Sequence, residues 1–164
     1  MTQITFKNEP ANTCGELPAV GAPLPHFELV GGDLSTITGK DFAGKKLVLS
    51  FFPSVDTGVC AQSVRTFNEK AAGKEDTVVL VISADLPFAQ GRFCSAEGID
   101  NVVAGSTFRS SFGKDFGVEL SDSPLEGLLA RGVIVTDADH KVVYTQLVGE
   151  VTEEPDYDAA INAL

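Results

Sequence analysis

The sequence predicts an α/β fold in which helices flank a central mixed β-sheet. Two largely apolar runs, residues 45–52 and 77–83, have the composition of strands that are buried on both faces of a sheet. Each run is followed by a segment with helical character, and the runs 130–136 and 141–148 form an antiparallel pair around a short polar turn. Strands and helices that alternate in this way are typical of a layered α/β sandwich.

The chain of 164 residues is expected to form one domain, residues 1–164, because no linker, repeat or low-complexity tract divides it. The formal net charge of -11 repels phosphate backbones and anionic lipids, so neither nucleic acid nor membrane is expected as a partner. The N-terminus lacks the basic and apolar regions of a secretory signal. A cytoplasmic location is therefore expected.

Further strands and helices are predicted along the chain. Short strands are predicted near the N-terminus, with Cys14 in or beside a hairpin turn. After Pro53, apolar residues that recur every three or four positions predict a helix that ends near Gly73 and carries Cys60 in its first turn. The other strands that we predict are at 4–6, 27–30, 34–38 and 101–104, and the other helices are at 86–98, 110–116 and 156–164.

The three cysteines, Cys14, Cys60 and Cys94, are few and widely spaced. They contain neither a Cys-x-x-Cys pair nor the spacing of a metal site, and glycine-rich nucleotide loops are absent from the sequence. No metal and no cofactor are therefore predicted. In a reducing cytoplasm, a disulfide among these residues is more typical of a transient catalytic state than of a structural bond.

The position of Cys60 favours a reactive thiolate. The first turn of a helix presents unpaired N–H groups and the positive end of the helix dipole, and such a site favours a thiolate over a thiol. Cys60 is therefore a candidate nucleophile. The alternative is that Cys60 is a small buried apolar residue, which is a common role of free cysteines.

Three residues around Cys60 match a known signature. Pro53, Thr57 and Cys60 have the spacing of the active-site motif of the peroxiredoxins, Pro-x-x-x-Thr-x-x-Cys. The wider sequence resembles the bacterial thiol peroxidases, which are atypical two-cysteine peroxiredoxins, from the N-terminal hairpin to about Asp156. The segments that carry this resemblance are 15–21, 53–57, 63–68, 85–94 and 129–133.

The resemblance implies a thioredoxin-like fold with an N-terminal β-hairpin, and a thiol-dependent peroxidase that protects the cell against oxidants. Cys60 would attack a hydroperoxide, either hydrogen peroxide or an organic (alkyl or lipid) hydroperoxide, and become a sulfenic acid. Cys94, as the resolving residue, would then form an intramolecular disulfide with Cys60. Thioredoxin, or a similar dithiol protein, would reduce this disulfide. The resemblance also implies a homodimer.

The same resemblance assigns three supporting residues. The Thr57 hydroxyl would bond the peroxide and the thiolate, Pro53 would shield the sulfur from water, and Arg131 would be the cation beside it. Fixed donors suit this reaction, because negative charge develops on the leaving oxygen in the transition state. The alternatives are that Thr57 only caps the helix and that Arg131 is a surface ion-pair partner. Cys94 has two alternatives, packing in the core or a thiol on the surface of its helix.

Three further expectations follow. A disulfide needs Cα atoms within roughly 7 Å, which two helices do not readily allow, so we expect one or both helical segments to unfold locally during the cycle. Gly58 stands where similar thiol peroxidases usually carry proline, which puts the rigidity of this loop in question. Cys14 is expected to have no role in the redox cycle.

Two other functions are compatible with thiols on such a fold. A general protein thiol-disulfide oxidoreductase normally uses Cys-x-x-Cys, which this sequence lacks. A peroxide sensor would be oxidised without rapid turnover. The residues by themselves favour neither over the peroxidase.

Overall fold

The computed structural model describes residues 1–71, 74–99 and 101–164. The strands in these ranges, numbered β1 to β9 in chain order, are Gln3–Phe6, Glu9–Asn12, Glu28–Val30, Thr36–Thr38, Lys46–Phe51, Thr77–Ser83, Val103–Ser106, Gly132–Thr136 and Val142–Leu147. The α-helices, α1 to α4, are Gly58–Lys70, Pro87–Glu97, Phe112–Asp115 and Tyr157–Asn162. A single turn of 3-10 helix, Gly39–Phe42, follows β4.

One mixed sheet contains seven of these strands, in the order β4-β3-β7-β6-β5-β8-β9. Strands β5, β6 and β7 are parallel, and the pairs β3/β4, β3/β7, β5/β8 and β8/β9 are antiparallel. Parallel neighbours need a crossover, which α1 provides between β5 and β6 and α2 provides between β6 and β7. The predicted mixed sheet with flanking helices is confirmed.

The two faces of the sheet carry separate apolar cores, since successive side chains of a strand point to opposite faces. In β5, Leu49 and Phe51 join the core that contains Phe112 of α3. Val48 of the same strand joins the other core, which contains Cys60 of α1. The helix that carries Cys60 is therefore anchored to the middle of the sheet.

The N-terminal hairpin lies outside this sheet. Strands β1 and β2 form an antiparallel pair of their own, as the resemblance implies. Its turn consists of Lys7 and Asn8, which both have positive φ, as the two-residue turns of tight hairpins require. The Thr5 amide donates to the Gly149 carbonyl, and the Val151 amide donates to the Thr5 carbonyl, each at 2.8 Å. The hairpin is thus fixed to the segment that follows β9.

The prediction that places Cys14 in or beside a hairpin turn is wrong. The turn is Lys7 and Asn8, and Cys14 lies two residues beyond the end of β2. There its amide donates to the Glu119 carbonyl at 2.8 Å, and its side chain is exposed. Strand β2 is not predicted from the sequence, because its residues, Glu-Pro-Ala-Asn, have little β-propensity.

Other elements differ from the prediction in extent. The strand expected at 34–38 begins at Thr36, because Leu34 has a positive φ and belongs to the preceding turn. The strand expected at 101–104 is β7, which begins two residues later. The predicted end of α1 near Gly73 lies outside the described residues, which include this helix as far as Lys70. No helix in the described ranges is long and apolar enough to cross a bilayer.

Candidate active site

The site is built where β5 ends and α1 begins. The Phe52 amide still bonds to the Ile82 carbonyl of β6, and Pro53 then ends the ladder because it has no N–H to donate. Thr57 is the N-cap of α1, and the first intrahelical bond runs from the Ala61 amide to the Thr57 carbonyl at 3.0 Å. The amides of residues 58–60 precede that bond and have no acceptor within the helix. The first turn of α1 contains no acidic residue.

Cys60 is the third residue of α1 and is fully buried. Its side chain packs in the core with Val55, Val64 and Val81, and the thiol is free. This agrees with both readings from the sequence, since a buried cysteine at a helix start is an apolar core residue as well as a possible nucleophile. The pocket at the start of α1 is lined by the neighbouring Gly58 and Val59 but not by Cys60, so a substrate can reach the sulfur only after the surrounding chain moves.

A pocket of about 270 Å³ lies at the start of α1. It brings together three of the predicted residues, Pro53, Thr57 and Arg131. Its other walls come from the hairpin, the start of α1 and two later loops, and consist of Phe6, Lys7, Gly58, Val59, Leu125, Val151 and Thr152. Most of these side chains are apolar, so the pocket suits a small group attached to an apolar chain.

Arg131 is only 3% exposed and lies directly before β8, beside the end of β5. Its Nε donates to the Val151 carbonyl at 2.8 Å, whereas its Nη1 is buried and has no hydrogen-bond partner among the described residues. The alternative that Arg131 is a surface ion-pair partner is therefore wrong. A buried guanidinium N–H without a partner is costly, and Arg131 is also one of the residues that line the pocket. The neighbouring Gly132 leaves room for Phe51, since a Cβ there would lie 2.5 Å from the Phe51 ring.

Thr57 occupies the N-cap position through its backbone only. Its hydroxyl makes no capping bond to the helix and instead donates to the Ser54 carbonyl at 3.1 Å. The hydroxyl is exposed at the pocket and still has lone pairs to accept a further bond. The capping alternative thus applies to the backbone of Thr57 and not to its side chain.

Cys94 lies elsewhere. It is a half-buried residue of α2, and burial raises the pKa of its thiol above the usual value. It lines a different cavity, of about 430 Å³, between α2, the turn at 31–33 and β7. The structure therefore does not bring Cys94 into the pocket of Thr57 and Arg131, although Cys94 packs against the same apolar core as Cys60.

One feature of the site was missed by sequence reasoning. The carboxylate of Asp85, in the connection between β6 and α2, accepts bonds from the Ser54 hydroxyl and the Val55 amide, each at 2.8 Å. Asp85 occurs in the segment that resembles the thiol peroxidases, but only the fold shows that it contacts the loop before α1. Phe6, Leu125 and Val151 were missed because they reach the pocket from distant parts of the chain.

The described ranges contain no group of three or more His, Cys, Asp or Glu side chains that is arranged to hold a metal ion. The polar side chains that line the pocket are instead two cations, Lys7 and Arg131, and two hydroxyls, Thr57 and Thr152. These groups favour binding of an oxygen that carries negative charge.

Comparison with known proteins decides the family. The family model described as Redoxin matches residues 19–161. The chain belongs to the redoxin family. It is 61% identical over 164 residues to a thiol peroxidase of Corynebacterium glutamicum, covering 100% of this chain and 99% of that one. It is 57% identical to a thiol peroxidase of Mycobacterium tuberculosis with the same coverage.

Solved structures of redoxins agree with the fold. A peroxiredoxin-like protein from Aquifex aeolicus superposes with a TM-score of 0.91 at 38% identity, covering 99% of this chain and 95% of that one. A thiol peroxidase from Chromobacterium violaceum has a TM-score of 0.90 at 24% identity, covering 97% and 93%, and supports the fold alone. The resemblance read from the sequence is thus confirmed, as is the thioredoxin-like fold. This redoxin is a thiol-dependent peroxidase, an enzyme that requires a peroxide substrate and a thiol reductant.

Proposed function

We propose that this enzyme reduces hydrogen peroxide and organic hydroperoxides with Cys60 as the nucleophile, and that thioredoxin recycles it through a Cys60–Cys94 disulfide. One observation supports the proposal above the others. The buried Nη1 of Arg131, which has no partner among the described residues, belongs to a residue that lines the pocket at the start of the Cys60 helix. A donor that is already in place and desolvated stabilises charge that develops only in the transition state.

The first step oxidises Cys60. Its thiolate attacks the terminal oxygen of the hydroperoxide, an S–O bond forms, and the O–O bond breaks. The leaving oxygen departs with the electron pair and takes up a proton, which gives water or an alcohol. Arg131 and Thr57 are assigned to the two oxygens as hydrogen-bonding groups, and Pro53 to the exclusion of water from the sulfur. Cys60 is left as a sulfenic acid.

The second step resolves the sulfenic acid. The Cys94 thiolate attacks the Cys60 sulfur, an S–S bond forms, and hydroxide leaves and is protonated to water. The two thiols of thioredoxin, or of a similar dithiol protein, then reduce this disulfide and become a disulfide themselves. Because Cys94 lines a different cavity from Thr57 and Arg131, we infer that the chain must open locally before this step.

The pocket lining bears on the substrate. Phe6, Leu125 and Val151 form apolar walls in the pocket that Arg131 also lines. An alkyl or lipid chain attached to the peroxide is therefore more stable against these walls than in water. Hydrogen peroxide is small enough to use the same donors. The homodimer that the resemblance implies and the cytoplasmic location both stay predictions.

The decisive experiment treats the reduced protein with one equivalent of peroxide. Intact-mass analysis should show the loss of two hydrogens, and peptide mapping should join Cys60 to Cys94. A bond that involves Cys14 would overturn the proposal. With thioredoxin as the reductant, Cys60→Ser should consume no peroxide, whereas Cys94→Ser should consume one equivalent and stop.

The same assays separate the rival functions. Reduction of insulin disulfides at a rate comparable to peroxide reduction would indicate a general thiol-disulfide oxidoreductase. Oxidation of the wild-type protein by one equivalent of peroxide, without recycling by thioredoxin, would indicate a peroxide sensor. Multiple turnovers that depend on both Cys60 and Cys94 are the result that the proposal requires.

A further inference from the structure

The carboxylate of Asp85 binds the loop before α1 at two points. Asp85 Oδ1 accepts a bond from the Ser54 hydroxyl at 2.8 Å, and Oδ2 accepts one from the Val55 amide at 2.8 Å. Oδ2 also accepts a bond from the Ser83 hydroxyl at 2.7 Å. Asp85 thus joins the loop that carries Pro53 and Thr57 to the end of β6, and charge-assisted bonds of this kind are stronger than neutral ones.

The same network continues into α2. The Ser83 hydroxyl accepts a bond from Gln90 Nε2 at 3.1 Å, and Gln90 Nε2 also donates to the Gly105 carbonyl at 3.1 Å. Gln90 is only 3% exposed, although most of its helix faces solvent. It lies four residues before Cys94, which places the two side chains on the same side of α2.

We propose that Asp85 is a positioning residue that couples the peroxide-binding loop to the folded state of α2. While α2 is folded, Gln90 orients the Ser83 hydroxyl, and Asp85 holds Ser54 and Val55 in the arrangement that presents Thr57 to the pocket. When α2 opens to release Cys94, the bonds of Gln90 are lost and the hold on the loop weakens. This inference rests on the proposed roles of Cys60 and Cys94.

The chemistry of the side chain explains why a carboxylate is needed. Three donors converge on Asp85, and a carboxylate accepts at both oxygens, whereas an amide of the same shape accepts at only one. Asp85→Asn therefore removes an acceptor with little change in volume. In one orientation, the –NH₂ group of the new asparagine faces the Ser54 hydroxyl. In the other, it faces the Ser83 hydroxyl and the Val55 amide, so a donor meets a donor in either case.

A second link between α2 and the same loop provides a matched control. Arg92 of α2 lies 3.4 Å from Asp56, but both side chains are about two-thirds exposed, at 68% and 65%. Exposed ion pairs contribute little, because solvent and salt screen them. Asp56→Asn therefore removes a charge from the same loop without disturbing the buried network.

The test measures two rate constants by stopped-flow in the full-length protein, namely peroxide attack on Cys60 and formation of the disulfide. For Asp85→Asn, attack should slow about tenfold to a hundredfold, because Thr57 is no longer held in place. Disulfide formation should accelerate about fivefold or more, because α2 opens more readily. Formation of sulfinic acid at high peroxide should fall in consequence.

Two further variants test which bonds couple α2 to the loop. Gln90→Met keeps the volume of the side chain and removes both of its bonds, so it should accelerate disulfide formation and also slow peroxide attack, by a smaller factor than Asp85→Asn does. Asp56→Asn should leave both rate constants within about twofold. If Asp85→Asn does not fold, Ser54→Ala removes one of the three donors and should slow attack in the same direction by a smaller factor.

The outcomes are distinguishable. If wild type forms the Cys60–Cys94 disulfide and Asp85→Asn has unchanged rate constants, the inference is wrong and the proposed function stands. If both rate constants of Asp85→Asn fall together with the unfolding temperature, the role of Asp85 is structural only and the inference is again wrong. If the wild-type protein forms no such disulfide, the proposed function itself fails.

Discussion

Helices α1 and α2 carry the two cysteines of the proposed cycle, and they are attached to the protein in different ways. Helix α1 places a whole face in the core, and its buried residues are Cys60, Ser63, Val64, Thr66 and Phe67. Helix α2 buries only Pro87 and Gln90. Since most helical stability in proteins comes from packing of an apolar face, α1 is fixed firmly by the core. Helix α2 is held by a few local bonds and by the partly buried side chains of Phe93 and Cys94.

The composition of α2 strengthens this difference. Gly91 lies near its middle, where glycine is less favourable than alanine, and Phe88 is 68% exposed. The helix ends at Gly98, which has a positive φ and whose amide donates to the carbonyls of Cys94 and Ser95. Such a helix is complete but weakly held. The comparison therefore favours α2, rather than α1, as the segment that opens when Cys94 meets Cys60.

The largest expected effect tests the packing of α1. Phe67→Ala should reduce the free energy of unfolding by about 3–5 kcal/mol, because Phe67 is fully buried. Phe93→Ala, in the half-buried face of α2, should cost less than half as much. Urea unfolding of both variants measures the difference. Equal losses would show that α2 is as firmly packed as α1.

The pH dependence of Cys94 alkylation tests the burial of its thiol. Burial raises the pKa of this group, so the folded state keeps its proton at a pH at which the open state has released it. Opening therefore becomes easier as the pH rises above the usual pKa of a thiol, and the gain ends above the raised value. Alkylation of Cys94, followed by peptide mass analysis, should rise about tenfold per pH unit and level off at higher pH than for free cysteine. A plateau at the same pH as free cysteine would contradict the raised pKa.

A stiffer α2 should slow resolution. A Cβ at Gly91 meets open space, so Gly91→Ala should stabilise the helix by about 1 kcal/mol and slow disulfide formation about fivefold. Peroxide attack should be unaffected, and sulfinic acid should therefore accumulate at lower peroxide concentrations. Stopped-flow and mass analysis measure the two effects. Unchanged disulfide formation would mean that α2 does not open.

A stiffer start of α1 should matter less. Gly58 is the first residue of α1, where proline fits because its N–H has no partner within the helix. A Cβ there meets open space, and the preceding Thr57 has the extended backbone that proline requires. Gly58→Pro should stabilise the protein by about 0.4–1 kcal/mol and slow disulfide formation less than Gly91→Ala does. A larger slowing would identify α1 as the segment that opens.

The smallest effect is expected at the third thiol. Cys14 is exposed, belongs to neither helix, and donates only a long bond to the Gly113 carbonyl at 3.6 Å. Cys14→Ser should therefore leave the steady-state rate with thioredoxin within about twofold of wild type. A large loss of activity would give this cysteine a part in the cycle.

The sequence predicts the elements whose signal is local. Strands β5 and β6 are long apolar runs, and the spacing of Pro53, Thr57 and Cys60 lies within one strand-to-helix junction, so all of these follow from neighbouring residues. Arg131 follows only from the resemblance, because it reaches the pocket through the pairing of β8 with β5, which lies more than eighty positions earlier in the chain. That pairing cannot be read from periodicity.

Other parts of the site are invisible to local patterns for a related reason. The hydrogen bonds of Asp85 join three segments, and nothing in a run such as Ser-Ala-Asp-Leu-Pro indicates which amide its carboxylate meets. Strand β2 contains a proline and no alternation of apolar residues, so its pairing with β1 depends on the turn at Lys7 and Asn8. The pocket walls that these segments build become apparent only in the fold.

The attachment of the N-terminal hairpin sets the smallest piece of chain that retains the site. The region shared with the redoxin family, residues 19–161, includes both helices and the seven-stranded sheet but not β1 and β2. Phe6 is nevertheless a wall of the pocket, and Thr5 holds Val151, whose carbonyl receives Arg131. A chain trimmed to the family region would keep Cys60 and Cys94 but lose the support of the Arg131 guanidinium. The first dozen residues therefore build part of the pocket, and an insertion or fusion within them would alter its walls.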